Sequence, residues 1–125
     1  MRIELTRFRV NAGAQARVDE WMTFLNNHLA AVRETLEPEQ MYVETIFSET
    51  SSGVDYLYWY SVQGTGGSLV EQSDHWLDAQ HLEFWRDCID DNYPPEDLTE
   101  RVTMMPERVA DAMVPLDSVP HSPKS

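Results

Sequence analysis

Cysteine is almost absent from this 125-residue chain: Cys88 stands alone. It cannot close an internal disulfide, and one thiolate cannot build a structural zinc site, so a reducing compartment is expected. Basic residues are scarce as well, nine Lys and Arg against 22 Asp and Glu, for a formal net charge of -13. Each phosphate contact draws on a Lys or Arg and a field of that sign repels polyanions, which excludes DNA and RNA as partners. No apolar run approaches the roughly 18 to 20 residues that cross a bilayer, and Met1-Arg2-Ile3-Glu4 lacks the apolar region of a signal peptide. A cytoplasmic protein without membrane contact is the expectation. Glycine is sparse too, and its one cluster, Gly64-Thr65-Gly66-Gly67-Ser68, has neither the Lys-Ser/Thr ending of a Walker motif nor the spacing of a dinucleotide fingerprint. There is no Gly-x-Ser-x-Gly nucleophile elbow and no obvious internal repeat.

What is present suits one domain. Hydrophobic residues make up 42% of the chain, enough for a core at a length near the commonest domain size. The domain is expected to span residues 1–114, with 115–125 a flexible Pro/Ser-rich tail too poor in apolar residues to offset the cost of ordering it. Arg2 to Val10 alternate with a period near two, which reads as a strand, and Asn11-Ala12-Gly13 turns the chain. From Ala14 to Glu37 the residues Val18, Trp21, Met22, Leu25, Leu29, Val32 and Leu36 fall on one helical line, and Pro38 stops the helix. Met41–Glu49 and Val54–Gln63 are rich in aromatic and β-branched residues and flank Thr50-Ser51-Ser52-Gly53, the pattern of an antiparallel hairpin. Ser73 or Asp74 is placed to cap a second helix running to Ile89. Thr99–Met105 reads as the last strand and Glu107–Met113 as a short terminal helix.

Strand, helix, strand, strand, helix, strand is the order of the ferredoxin-like βαββαβ fold, a four-stranded antiparallel sheet with two helices on one face. The sheet's second face cannot be left in water. Tyr56-Leu57-Tyr58-Trp59-Tyr60 is apolar or aromatic at both parities, and Tyr42–Phe47 carries bulky residues on both. A second copy of the sheet packed face to face is the simplest cover, giving a homodimer of the dimeric α/β-barrel type.

Chemistry centres on the second helix. Leu77, Phe84, Trp85 and Cys88 form its apolar stripe, and His81 lies among them with Asp78 one turn before it, placed to hold the imidazole in one tautomer or raise its pKa. The alternative is a core histidine satisfied by one hydrogen bond to a neighbouring strand. Glu44 is a mid-strand carboxylate between bulky neighbours, costly unless paired or exposed, and Arg7 or Arg9 is placed to meet it across the sheet or the dimer. Trp59, Trp85, Tyr58 and Tyr60 are candidate walls of a pocket for a flat, mostly apolar molecule, or else packing residues. His75, Asp78 and His81 do not converge on a metal, because His75 points about 120° away from His81 on a helical wheel, so no metal or cofactor is expected. Cys88 reads as a small buried filler.

The segments Arg7-Phe8-Arg9-Val10, Glu20-Trp21-Met22-Thr23-Phe24-Leu25, Tyr42-Val43-Glu44-Thr45-Ile46-Phe47, Tyr56-Leu57-Tyr58-Trp59-Tyr60 and His81-Leu82-Glu83-Phe84-Trp85 together resemble a family of small bacterial proteins of unknown function. That family looks like part of the dimeric α/β-barrel superfamily, which includes cofactor-independent antibiotic-biosynthesis-type monooxygenases and haem-degrading monooxygenases. The resemblance covers roughly residues 2–113 and implies fold and dimerisation more than activity. The expectation is a homodimer binding a small, partly aromatic molecule between sheet and helices, with His81 as acid or base poised by Asp78 and, on the resemblance alone, a monooxygenase-like reaction. Two alternatives stand beside it. Haem binding or degradation would use an early Asn, a strand Trp and a helix His, which Asn11, Trp59 and His75 or His81 echo. A structural or regulatory dimer would have no ligand site.

Overall fold

The alternation of bulky residues around a tight turn makes a long hairpin the centre of the sheet. In the computed structural model, which describes residues 1–64 and 74–117, β2 (Met41–Ser51) and β3 (Val54–Gln63) pair antiparallel across Ser52-Gly53. Ser52 and Gly53 have φ of 52° and 77°, the two successive left-handed residues of a hairpin turn whose twist matches that of the strands. β1 (Arg2–Arg9) lies on the other side of β3, and β4 (Glu96–Asp97) on the far edge of β1, so the order is β2-β3-β1-β4 and every pairing is antiparallel. This is the expected ferredoxin-like α+β fold. Its fourth strand differs from the expectation: it is two residues at 96–97, and residues 99–105 take no regular structure. Val102 and Met104 are exposed, and among the described residues no strand pairs with this stretch.

The first long helical stretch is two helices, α1 (Gln15–Asn27) and α2 (Leu29–Leu36). His28 interrupts them at φ -127°, ψ 34°, its Nδ1 2.7 Å from the Phe24 carbonyl and its N–H donated to Leu25 O. A ring that competes for a carbonyl of its own helix offers the backbone an alternative to the next helical turn. The apolar line survives the break because α2 resumes at once, which is why periodicity alone saw one helix. α3 (Trp76–Cys88) is capped by His75, whose ring accepts from Leu77 N at 3.1 Å, and not by Asp74; Ser73 lies outside the described residues. The terminal helix α4 (Glu107–Asp117) runs past Met113, into the stretch read as tail, and the rest of that tail lies outside the described residues, as does most of the glycine cluster.

Alternation along the strands sorts side chains between two faces. Trp59 packs its ring on Trp21, His81 and Trp85, and Phe8 packs on Trp59 and Trp85, so Phe8, Leu57, Trp59, Ser61 and Gln63 face the helices. The register set at the Ser52-Gly53 turn runs unbroken from the Ser51/Val54 pair to the Val43/Val62 pair and turns Glu44, Ile46 and Ser48 toward the helices as partners of Ser61, Trp59 and Leu57; past it, an irregularity between Met41 and Val43 inserts Tyr42 as an extra residue. Tyr56, Tyr58, Tyr60, Arg7 and Phe47 take the outer face. The core between sheet and helices is built from Val10, Val18, Trp21, Leu57, Phe84, Cys88 and Ile89.

Candidate functional site

One end of the space between sheet and helices is not filled by this core. A cleft of about 1010 Å3 opens there, walled by Glu44, Ile46, Trp59, Ser61 and Gln63 of the sheet, by Met22 and Leu25 of α1, by α2, and by Asp78, His81 and Trp85 of α3. α3 supplies its polar wall because Asp78, His81 and Trp85, at spacings of three and four residues, lie on one face of the helix.

Two indole N–H groups set the chemistry. Trp21, fully buried behind the wall, donates from Nε1 to His81 Nδ1 at 3.1 Å. The accepting nitrogen carries no proton, so in the neutral ring the proton sits on Nε2, which has no partner among the described residues and belongs to a side chain lining the cleft. Burial pushes the His81 pKa down, and the charge of Asp78 opposes that shift without overcoming it. A neutral His81 with Nδ1 occupied is a hydrogen-bond donor into the cleft. Trp59, the second indole, donates from Nε1 to Oε2 of Glu44. Glu44 is an exposed residue on the rim of the cleft, and partial desolvation against its walls raises its pKa; the Trp59 hydrogen bond opposes the shift and the charge of Asp78 adds to it. Glu44 is therefore a better base than a free glutamate, and its Oε1 has no partner among the described residues.

Of the residues singled out in the sequence, the cleft brings together His81, Asp78, Glu44, Trp59 and Trp85. The other three lie elsewhere. Tyr58 and Tyr60 have the opposite parity to Trp59 and point to the outer face, where the Tyr58 hydroxyl donates to Glu49 at 2.6 Å. Arg7 is on that face too, stacked over the Tyr56 ring at 4.3 Å and paired with Glu96 of β4, so neither it nor Arg9, which stacks over Tyr93, meets Glu44. The hairpin register puts Glu44 on the helix side, and its partner is an indole. Asp78 does not hold the imidazole: Trp21 does, and Asp78 acts on His81 only through space. Sequence reading placed Trp21 in the first helix's apolar stripe and missed its N–H, because no pattern along the chain links a position on α1 to one on α3.

Of the residues named for a haem site, Trp59 and His81 meet in the cleft with ring centroids 5.8 Å apart, while Asn11 and His75 lie outside its walls. Asn11 donates to Asp87 O and Ile89 O, tying the end of β1 to the end of α3, and His75 is a helix cap whose Nε2 lies 2.8 Å from Glu34. Among the described residues no group of three or more His, Cys, Asp or Glu is placed to hold a metal ion, and no helix is long and apolar enough to cross a membrane. Cys88 is fully buried, its thiol pushed up to about 11 by burial.

A family profile described only as a family of unknown function, DUF6176, matches residues 1–111. The chain belongs to that family. No curated protein matches the DUF6176 chain in sequence. In structure it is similar to an L-rhamnose mutarotase from Formosa agariphila, with a TM-score of 0.51 and 14% identity over 85% of this chain and 100% of that one. At that identity the likeness bears on the fold and not on the reaction.

Proposed function

We propose that this protein binds a small, neutral, hydroxylated ring compound, of which a free monosaccharide is the type, and catalyses proton transfer on it without a cofactor. One observation carries the reading: two tryptophan N–H groups leave a hydrogen-bond donor, His81 Nε2–H, and a base, Glu44 Oε1, on the walls of one cavity. Trp59 and Trp85 offer flat apolar surface to one face of a ring, while Ser61, Gln63, Glu44 and Asp78 offer hydrogen bonds at its edge. The same tryptophan wall suits the partly aromatic ligand expected from the sequence. The polar bed beside it favours a hydroxylated one.

The mutarotase of like fold suggests a reaction that these groups can run. Glu44 takes the proton of the anomeric hydroxyl, the electron pair of the C1–O bond moves to the ring oxygen as the aldehyde forms, and His81 Nε2–H bonds that oxygen as charge develops on it. The proton on Glu44 returns to the ring oxygen directly or through one water, and reclosure on the other face of the aldehyde gives the second anomer. In this scheme His81 is an electrophile and Glu44 the acid–base group, the reverse of the sequence expectation that made His81 the acid or base. The experiment is NMR exchange spectroscopy of L-rhamnose and other free aldoses with purified protein. Accelerated anomer exchange that is lost in Glu44→Gln supports the proposal; exchange at the buffer rate across the panel, together with accelerated loss of a phenolic substrate in air, would replace it with the monooxygenase reading.

We also infer that two copies pair through the outer face of the sheet. Phe47 is 55% exposed there beside exposed Val43 and half-buried Tyr56, Tyr58 and Tyr60, an apolar patch of the kind soluble proteins cover. Since the cleft opens on the opposite face of the sheet, each copy keeps a whole site.

A further inference from the structure

The polar residues on the sheet side of the cleft bond one another. Gln63 donates to Glu4 and to Ser61, each at 3.0 Å, and accepts from Arg2 at 2.6 Å. Asp78 is the exception. It is only 4% exposed, it lines the cleft, and among the described residues its carboxylate has neither a hydrogen bond nor an ion pair. The Asp78 oxygens are not sealed from solvent: they keep their contact with the cleft, where water satisfies them and a ligand that displaces the water has to bring donors of its own. The lining also carries Glu4, Glu39 and Glu44 against Arg2 and Arg33, so the field around Asp78 opposes a second negative charge.

We propose that Asp78 is the specificity residue of the cleft, accepting two hydrogen bonds from adjacent hydroxyls of the ligand, so that the substrates are neutral sugars and the corresponding sugar acids and sugar phosphates are excluded. This rests on the small-molecule reading above and extends it from a reaction to a ligand class. A carboxylate has the spacing to accept from two vicinal hydroxyls at once, and His81, one turn further along α3, then reaches a neighbouring oxygen of the same ring. A ligand carboxylate or phosphate in that place would set like charges together with no donor between them. Asp78 is a binding and selecting group in this account, with Glu44 left as the base.

The test is a binding panel read by tryptophan fluorescence and calorimetry on the full-length protein. The probes are L-rhamnose, D-glucose, D-glucuronate, glucose 6-phosphate and glucosamine. The wild type is expected to bind at least one neutral aldose, with glucuronate and glucose 6-phosphate weaker by on the order of tenfold or more. Asp78→Asn, which keeps the shape and removes the charge, is expected to weaken the neutral sugar by on the order of tenfold and narrow the gap to glucuronate. Tighter binding of glucosamine than of every neutral aldose, abolished in Asp78→Asn, would overturn the neutral-sugar assignment, because Asp78 would then select an ammonium. Neutral sugars that bind the wild type and Asp78→Asn equally overturn this inference and leave the acid–base reading standing, whereas a wild type that binds no sugar removes both. Should Asp78→Asn fail to fold, the wild-type panel still decides: preference for glucuronate or the phosphate over the neutral aldose is incompatible with the proposal.

Discussion

Removing one N–H from the core is the sharpest probe of the cleft. Trp21→Phe keeps an aromatic ring against Phe84 and Trp59 but deletes the donor to His81 Nδ1. Two costs add. Loss of the bond strands a buried acceptor, at about 1–3 kcal/mol, and loss of the outer part of a fully buried indole leaves a void worth about 1 kcal/mol at the usual dependence on cavity volume. The sum, about 2–4 kcal/mol, is a large part of the stability of a domain this size but leaves it folded, with Tm lowered by about 8–15 °C.

The more telling effect is on the imidazole. In the wild type, burial lowers the His81 pKa, and a donor aimed at Nδ1 stabilises only the neutral ring. With the donor gone and room for water beside the ring, protonation at Nδ1 becomes accessible and the pKa moves back up toward the ordinary 6.5. Side-chain 15N NMR across a pH titration reads both tautomer and pKa. Leu57→Ala, which empties a fully buried site away from the imidazole, is the control for destabilisation alone and should leave the His81 titration in place. A wild-type His81 protonated on Nδ1, or a titration that Trp21→Phe does not move, would refute the assignment of Nε2–H as the donor.

Other outcomes follow from the same contacts. His81→Gln retains a donor of similar reach and is expected to keep more anomerase activity than His81→Ala, by on the order of tenfold; equal losses would show that His81 does not donate to the substrate. Phe47→Glu puts a charge in the outer apolar patch and is expected to turn a dimer into a monomer in sedimentation without changing circular dichroism, and a monomeric wild type at micromolar concentration would remove the pairing altogether. Cys88, buried and with its thiol near 11, should resist a disulfide reagent at pH 8 in the native protein and react fully in denaturant; rapid native reaction would contradict its packing.

The fold was legible because its signals are periodic. Alternation located β1 to β3, the 3.6-residue stripe located α1 to α3, and the Ser52-Gly53 turn fixed the hairpin register. The part of the site carried by α3 was legible for the same reason, since His81, Asp78 and Trp85 share one face by spacing alone. What failed was what local pattern does not carry. Glu44 and Arg7 lie on opposite faces because β3 pairs Glu44 with Ser61 and Arg7 with Tyr58, residues of opposite parity, and the long-range register of β1 on β3 is not written in the pattern of either strand. Tyr58 and Tyr60 looked like a pocket wall because a run of aromatics at both parities does not say which parity lines a cavity. The Trp21–His81 bond joins residues 60 positions apart, and only tertiary packing supplies it. The His28 break is a local competition of ring against backbone that a stripe of apolar residues hides.

The cleft also has a cost that can be measured without knowing the ligand. Glu44 carries a pKa above its unfolded value of 4.5, so the native state binds a proton that the unfolded chain has already released. Its contribution to stability is complete below pH 4.5 and is lost as pH rises through the native pKa, so at neutral pH the ionised group destabilises the fold. His81 works in the other direction. Its native pKa is below 6.5, so the unfolded chain protonates first, and stability is complete above pH 6.5 and falls as pH descends toward the native value. Glu44→Gln is therefore expected to be more stable than the wild type at pH 7 and to lose that advantage toward pH 4.5, measured by urea denaturation at each pH. The wild type with a bound neutral sugar should recover part of the difference, because the ligand supplies donors that the protein withholds. A Glu44→Gln variant less stable than the wild type at pH 7 would mean that the Trp59 hydrogen bond outweighs desolvation, and that Glu44 is a structural anchor held in its charged form instead of a base kept ready for a substrate.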